Sequence, residues 1–261
     1  KYSNHLITKN GQRILGYDIM NKNLKLSIVL FLSSFAINSQ NWGNGEKVKG
    51  NGNIITETRT TSEYDEISAG GSFDVVLVKG KEGSIKIEGE ENIIPFIEIE
   101  VKNGNLQIKY KRNANISTTK KMTITVPFTK ISKVSLGGSG SITNENVIKT
   151  TDFSASLGGS GNIKLTIETT SMSVNIGGSG NIELSGKTNE FECSVAGSGN
   201  VNAFDLNAEL TNATIAGSGN IKTTVTKKIK AKVVGSGNIY YSGNPAEKDV
   251  KSVGSGKIIH Q

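Results

Sequence analysis

The sequence predicts an all-β protein: a parallel β-helix, right-handed by the usual crossover rule, with about seven rungs of about 19 residues behind a β-rich N-terminal cap. Three observations carry that expectation. Seven near-identical glycine-serine-glycine blocks recur at a nearly fixed period, apolar and polar residues alternate between them, and the stretch upstream alternates without repeating. The blocks run from LGGSGSI at 136–142 to SVGSGKI at 252–258, and their central serines are Ser139, Ser160, Ser179, Ser198, Ser218, Ser236 and Ser255. Successive serines lie 21, 19, 19, 20, 18 and 19 residues apart. Seventeen of the 31 glycines fall inside these blocks, so the glycine-rich composition and the repeat are one fact.

In chain order, residues 1–19 precede Met20 and read as an over-extended gene start. Residues 20–39 read as a secretory signal peptide. Lys22 and Lys25 supply the positive start, Leu26 to Ile37 an apolar run of 12, and small residues follow, with cleavage expected between Ala36 and Gln40. That run is too short to span a bilayer, and no second long apolar run follows, so no membrane-spanning segment is expected in the mature chain. Residues 40–62 are polar and rich in Gly and Asn, and weak structure is expected there.

Residues 63–133 read as the β-rich cap. Phe73, Val75 and Leu77 alternate with polar residues, as do Ile85 and Ile87, and then Ile97, Ile99 and Val101. Asn103-Gly104, between two alternating runs, is a strong hairpin signal. The cap is expected to cover the N-terminal end of the solenoid, where apolar columns would otherwise meet water.

Residues 134–261 form the repeat. Three residues before each serine stand Leu136, Leu157, Ile176, Val195, Ile215, Val233 and Ser252. Five before stand Val134, Ala155, Val174, Cys193, Ala213, Ala231 and Val250; three after, Ile142, Ile163, Ile182, Val201, Ile221, Ile239 and Ile258. The intervening residues are mostly polar, which is the period-two signature of half-buried strands. At about 3.3 Å per residue, 19 residues trace roughly 63 Å, enough for three short faces. The Gly-Ser-Gly step is expected to turn a corner because glycine visits φ > 0 without penalty. On that reading Gly199 and Gly219 hold φ > 0, and valine at either should cost more than about 1 kcal/mol. Asn162, Asn181, Asn200, Asn220 and Asn238 then stack as an amide ladder beside the serine column, a structural corner rather than a catalytic one.

Composition narrows the functional classes. The formal charge is +7, but residues 1–39 hold five of the 30 basic groups and one of the 23 acidic ones, leaving +3 on the mature chain. That is too weak for a nucleic-acid footprint. One cysteine excludes an intrachain disulfide and a cysteine-rich zinc site, and Cys193 sits in an inward column of small residues, where a buried, inert thiol is expected. The two histidines, His5 and His260, stand at opposite ends of the chain. No cofactor or metal is expected.

The tempting motifs have plainer readings. A phosphate cradle needs one strand–loop–helix unit, not seven solenoid copies. GGSGNIELS resembles a calcium-binding nonapeptide, yet Ile182 occupies the aspartate position. Glycan-degrading β-helices need clustered carboxylates, but Asp152 and Asp205 fall out of register and Glu183 shares a column with Thr143, Lys164 and Lys222. A threonine array of the ice-binding kind starts at Thr151 and Thr170 and ends there, because Asn189, Glu209 and Lys227 follow.

The opening GSFDVVLVKG at 71–80, the KNGNLQI hairpin and the serial GSGNI blocks together resemble the putative auto-transporter adhesin, head GIN domain family, over roughly 63–258. The resemblance implies a β-helical fold, export in a Bacteroidota-type cell and a surface-interaction role, and it brings no catalytic residue. The combined expectation is an exported non-catalytic β-helix, periplasmic or secreted to the cell surface or medium. It would present a rigid, repetitive surface to a glycan or protein, with a purely structural envelope role as the alternative and a polysaccharide lyase or hydrolase behind both.

Overall fold

The computed structural model describes residues 46–261, so the expected gene start (1–19) and signal peptide (20–39) lie outside the described residues. Strands come first in the cap: β1 (Glu46–Lys49), β2 (Ile54–Thr60), β3 (Glu66–Gly71), β4 (Asp74–Lys79) and β5 (Ser84–Glu90). A single 3-10 turn, Ile94–Phe96, leads to β6 (Ile97–Lys102), β7 (Asn105–Tyr110), β8 (Ala114–Ser117) and β9 (Thr123–Phe128). The repeat supplies β10 (Lys133–Gly138), β11 (Ser141–Asn144), β12 (Ile148–Lys149), β13 (Asp152–Gly159), β14 (Asn162–Gly178) and β15 (Asn181–Gly197). It continues with β16 (Asn200–Gly217), β17 (Asn220–Gly235), β18 (Asn238–Ser242), β19 (Glu247–Gly254) and β20 (Ile258–His260). No described segment is an α-helix, and none is a helix long and apolar enough to cross a membrane.

The repeat is a parallel β-solenoid. Each rung lies on the next with like residues opposed: Ile163 on Ile182, Leu165 on Leu184, Met172 on Phe191 and Ile176 on Val195. Ile182 lies in turn on Val201, Cys193 on Ala213 and Val195 on Ile215. The columns expected from alternation are the core. Leu157, Val174, Ile182, Cys193, Ala213, Ile221 and Val233 are at most 1% exposed. The pleat forces this outcome, because period two sends every second side chain to one face of each strand.

The corner differs in detail from its sequence reading. The residue with φ > 0 is the glycine before each serine: Gly138, Gly159, Gly178, Gly197, Gly217, Gly235 and Gly254, at 115° to 154°. Gly199 and Gly219 do not hold a positive φ; they are glycine for a different reason. A Cβ on Gly199 would lie 2.6 Å from the Gly180 carbonyl oxygen, and one on Gly219 would lie 2.0 Å from that of Gly199. The first glycine bends the chain, and both let neighbouring rungs approach, since a Cβ on Gly197 would likewise lie 2.5 Å from the Gly178 carbonyl oxygen.

The cap contains a rung that the repeat pattern hides. Gly70 and Gly71 lie opposite Gly137 and Gly138, Ile67 opposite Val134, and Val75 opposite Ile142. β3 and β4 are therefore a diverged first rung in which Phe73 takes the place of the second corner glycine. The chain then drops below this rung. β7 pairs with β3 and β9 with β4, so the spatial order is β7/β9, β3/β4, β10/β11. Phe73 meets Tyr110 of the lower layer edge-to-face at 5.3 Å. Antiparallel strands close this end: β6 on β7 through the Asn103-Gly104 turn, whose φ values of 51° and 76° suit a hairpin, and β5 on β9 and β2. Residues 40–62, expected to be weakly structured, instead contain β1 paired with β8 and β2 paired with β5. Their polar side chains hide the signal because β2 buries few of them: its backbone, not an apolar face, ties it to the sheet.

Candidate functional site

Each predicted corner serine is exposed, and the N–H of the first six is held from the rung below. Ser160, Ser179, Ser198, Ser218 and Ser236 donate to the carbonyls of Gly138, Gly159, Gly178, Gly197 and Gly217 at 2.9 to 3.0 Å, and Ser139 donates to Gly71 at 3.1 Å. The glycine after each of these serines donates to the same oxygen at 3.0 to 3.1 Å, or 2.9 Å for Gly161. One carbonyl thus serves two donors, which fixes the corner without side chains. Ser255 is exposed at the last corner, where Gly256 donates to Gly235 at 3.0 Å.

The asparagines form a continuous chain. Asn181 Nδ2 donates to Asn162 Oδ1 at 3.1 Å, Asn200 to Asn181 at 3.0 Å, Asn220 to Asn200 at 2.9 Å and Asn238 to Asn220 at 3.3 Å. Parallel in-register stacking places each amide one strand spacing, about 4.8 Å, above the last. These groups satisfy one another, so the ladder is a spine for the corner.

The outward faces divide by chemistry. Past the asparagines, the strands carry charges that pair between rungs. Lys164 meets Glu183 at 2.9 Å, Lys227 meets Glu209 at 2.7 Å, and Glu168 lies between Lys149 at 3.2 Å and Lys187 at 3.6 Å. Hydrogen bonding to Lys149, with its charge and that of Lys187, holds the Glu168 carboxyl below the usual range. Exposed pairs of this kind contribute little to stability but leave the face near neutral.

The face before each corner is different. Ser154 lies opposite Ser173, Ser173 opposite Glu192, and Glu192 opposite Asn212; beside that row, Ser156, Asn175, Ser194 and Thr214 lie opposite one another in turn. All eight side chains are half-buried or buried, and most are short, so the face is flat and carries hydroxyls and amides in two parallel rows. The single acid among them, Glu192, accepts from Asn212 at 3.3 Å, and burial together with neighbouring Glu190 pushes its pKa upward. A flat lattice of donors and acceptors is suited to contact rather than to enclosing a small molecule.

The remaining carboxylates do not converge. Asp152 lies opposite Ser171, Asp205 opposite Ser185, and Asp74 is held by Ser141 at 2.5 Å and Lys121 at 3.0 Å. Among the described residues, no three His, Cys, Asp or Glu side chains are grouped as metal ligands would be. Cys193 is a free thiol, 1% exposed, whose pKa burial pushes strongly upward. His260 sits at the last strand, stacked on Tyr241 at 4.9 Å.

Two polar devices lie outside the sequence reading. Thr169 and Thr188 are buried at the opposite bend, where Thr169 Oγ1 donates to the Thr151 carbonyl at 2.8 Å and Thr188 Oγ1 to the Glu190 carbonyl at 2.9 Å. Glu90 is fully buried and accepts from Gly52 N, Thr119 N and Thr119 Oγ1 at 2.6 to 2.8 Å. The Thr119 hydroxyl first, then the backbone N–H groups, lower its pKa to about 2 despite burial. No motif marks a carboxylate that ties together three cap segments; it is visible only once they meet.

Comparison with known proteins agrees with this architecture. A family model described as putative auto-transporter adhesin, head GIN domain, matches residues 63–245. A putative adhesin from Bacteroides fragilis superposes with a TM-score of 0.78 at 27% identity, covering 82% of this chain and 100% of its own. A putative lipid binding protein from Parabacteroides distasonis gives 0.69 at 28% identity over 83% and 100%. A putative adhesin from Parabacteroides merdae shares the fold at 24% identity, with a TM-score of 0.71 over 83% and 100%. Among proteins of curated function, none matches. The repeat, its corner and the family match converge on one assignment: this chain belongs to the putative auto-transporter adhesin, head GIN domain family.

Proposed function

We propose that the protein is an exported, non-enzymatic adhesin-type module that binds a cell-surface glycan or protein through its outer face. The observation that carries this reading is the pair of flat, in-register rows formed by Ser154, Ser173, Glu192 and Asn212 and by Ser156, Asn175, Ser194 and Thr214. Repeated hydroxyls and amides at rung spacing match a ligand that itself repeats, as a glycan chain does, and the flatness lets many weak contacts add. The adhesin descriptions of the family and of the B. fragilis relative support the same reading. A lipid taken into the solenoid, the reading that the description of the P. distasonis relative invites, conflicts with interior columns that are already filled. A purely structural role in the envelope is the alternative, supported by the self-satisfied asparagine spine.

The test is to apply the chain to arrays of bacterial and host glycans and of matrix proteins. The expected result is a hit that is lost when Ser173→Arg and Ser194→Arg roughen the face, with the melting temperature little changed. Silence across the arrays favours the structural alternative, and a hit indifferent to both substitutions removes this face from the proposal.

A further inference from the structure

Among the described residues, nothing covers the outer edge of the C-terminal rung. β19 pairs along its length with β17, from Glu247 opposite Lys228 to Gly254 opposite Gly235, and no described strand lies on its other edge. An interior column surfaces there: Val250 is 47% exposed, whereas Ala231, directly beneath it, is 1% exposed. Val253 is 64% exposed beside Val234 at 43%. An edge of this kind presents unpaired N–H and C=O groups and templates pairing with another strand.

The strand is complementary to itself. Residues 247–253 read Glu-Lys-Asp-Val-Lys-Ser-Val. If two copies meet antiparallel about Val250, Asp249 of each faces Lys251 of the other on the outward side. On the inward side, Val250 faces Val250 and Lys248 faces Ser252. No like charges oppose one another, and the exposed valine column is buried against its own copy. Opposite charges directly across a strand pair stabilise it, and a two-fold contact closes after two molecules instead of propagating. Within one copy, Lys248 turns over the Tyr241 ring at 5.9 Å and the Ser252 hydroxyl donates to the Gly256 carbonyl at 2.6 Å. Val250 is therefore the apolar residue left at the centre of the inward row.

We propose that the protein forms a head-to-head dimer in which the β19 edges of two copies pair antiparallel about Val250, so that the β-sheet continues from one solenoid into the other. The partner is a second copy of this chain, and the dimer would turn two display surfaces into one bivalent particle.

The experiment is sedimentation equilibrium of the whole chain over a range of concentrations, combined with charge reversal and cross-linking. A dimer is expected. Asp249→Lys and Lys251→Asp should each weaken association by about tenfold or more, because each sets like charges opposite one another. The double reversal should restore association. Val250→Cys should give an intermolecular disulfide on mild oxidation, since antiparallel Cα atoms at about 4.5–5.5 Å fall within disulfide range. Cys193 is buried and should not compete. A monomer at every concentration would mean that Lys248 and Ser252 only blunt the edge, and would overturn the proposal. So would a dimer that is indifferent to both single reversals and not captured through Val250→Cys.

Discussion

Gly197 and Gly199 flank one serine and look interchangeable in the sequence, yet the backbone uses them differently. Gly197 has φ 126°, a region side chains rarely adopt, and a Cβ there would also lie 2.5 Å from the Gly178 carbonyl oxygen, whereas Gly199 has only the close approach, 2.6 Å to the Gly180 carbonyl oxygen. Valine at 197 should cost about 1–3 kcal/mol through backbone strain. Valine at 199 should cost a similar amount by forcing two rungs apart. Chemical denaturation of Gly197→Ala and Gly199→Ala separates the two positions: both should lose stability, and Gly197→Ala more, since positive φ adds strain to a similarly close approach. Equal losses for the two would contradict the corner geometry. Glu90 illustrates a residue that sequence reasoning cannot single out, because its donors come from Gly52 and Thr119, far apart in the chain. Its folded pKa lies below its ordinary value, so its stabilisation is intact above about pH 4.5 and is lost as pH falls toward 2. Melting temperatures measured from pH 6 to 2 should therefore fall less steeply in Glu90→Gln than in the parent, from a lower starting point at pH 6. Parallel pH profiles would show that Glu90 carries no such linkage.

A rung is the element of this fold, and its length is not constant. Against the preceding rung, the extra residue between Ser198 and Ser218 is absorbed between Asn202 and Asp205, opposite Glu183 and Ser185, where Phe204 lies under the Lys222 amine at 5.7 Å. The spacing announces that a residue is extra, but not where the ladder yields. Alternation made the interior columns legible because pleating admits only two facings. The first rung at β3 and β4 was not legible as a rung, since Phe73 replaces its second glycine and the chain returns out of order. Neighbouring rungs stabilise one another, so position along the stack should set the cost of a core truncation. Ile182→Ala, in the middle of the stack and 1% exposed, should lose about 2–5 kcal/mol. Ile258→Ala, on the partly exposed last strand, should lose well under half as much. Urea denaturation of the two variants checks the gradient, and equal losses would contradict it.

At the scale of the whole molecule, the sequence discloses a solenoid but not which side of it matters. Every rung repeats its interior, while its outward residues drift from hydroxyl to amide to charge, so the periodicity that reveals the fold is silent about the binding face. Spacing alone keeps Asp152, Asp205 and Glu183 apart, but it takes the register to show Ser154, Ser173 and Asn212 side by side in one row of a flat face. The account therefore rests on contact without chemistry. Its most direct test is to incubate the chain with the glycan it captures on an array and to measure the mass and reducing ends of the recovered glycan. The account predicts an unchanged ligand, and binding that survives the combined substitution of Asp152, Asp205 and Glu183 with at most the small effect expected of exposed charges. Shortened chains carrying new reducing or unsaturated ends, abolished by that triple change, would contradict it and make this solenoid an enzyme.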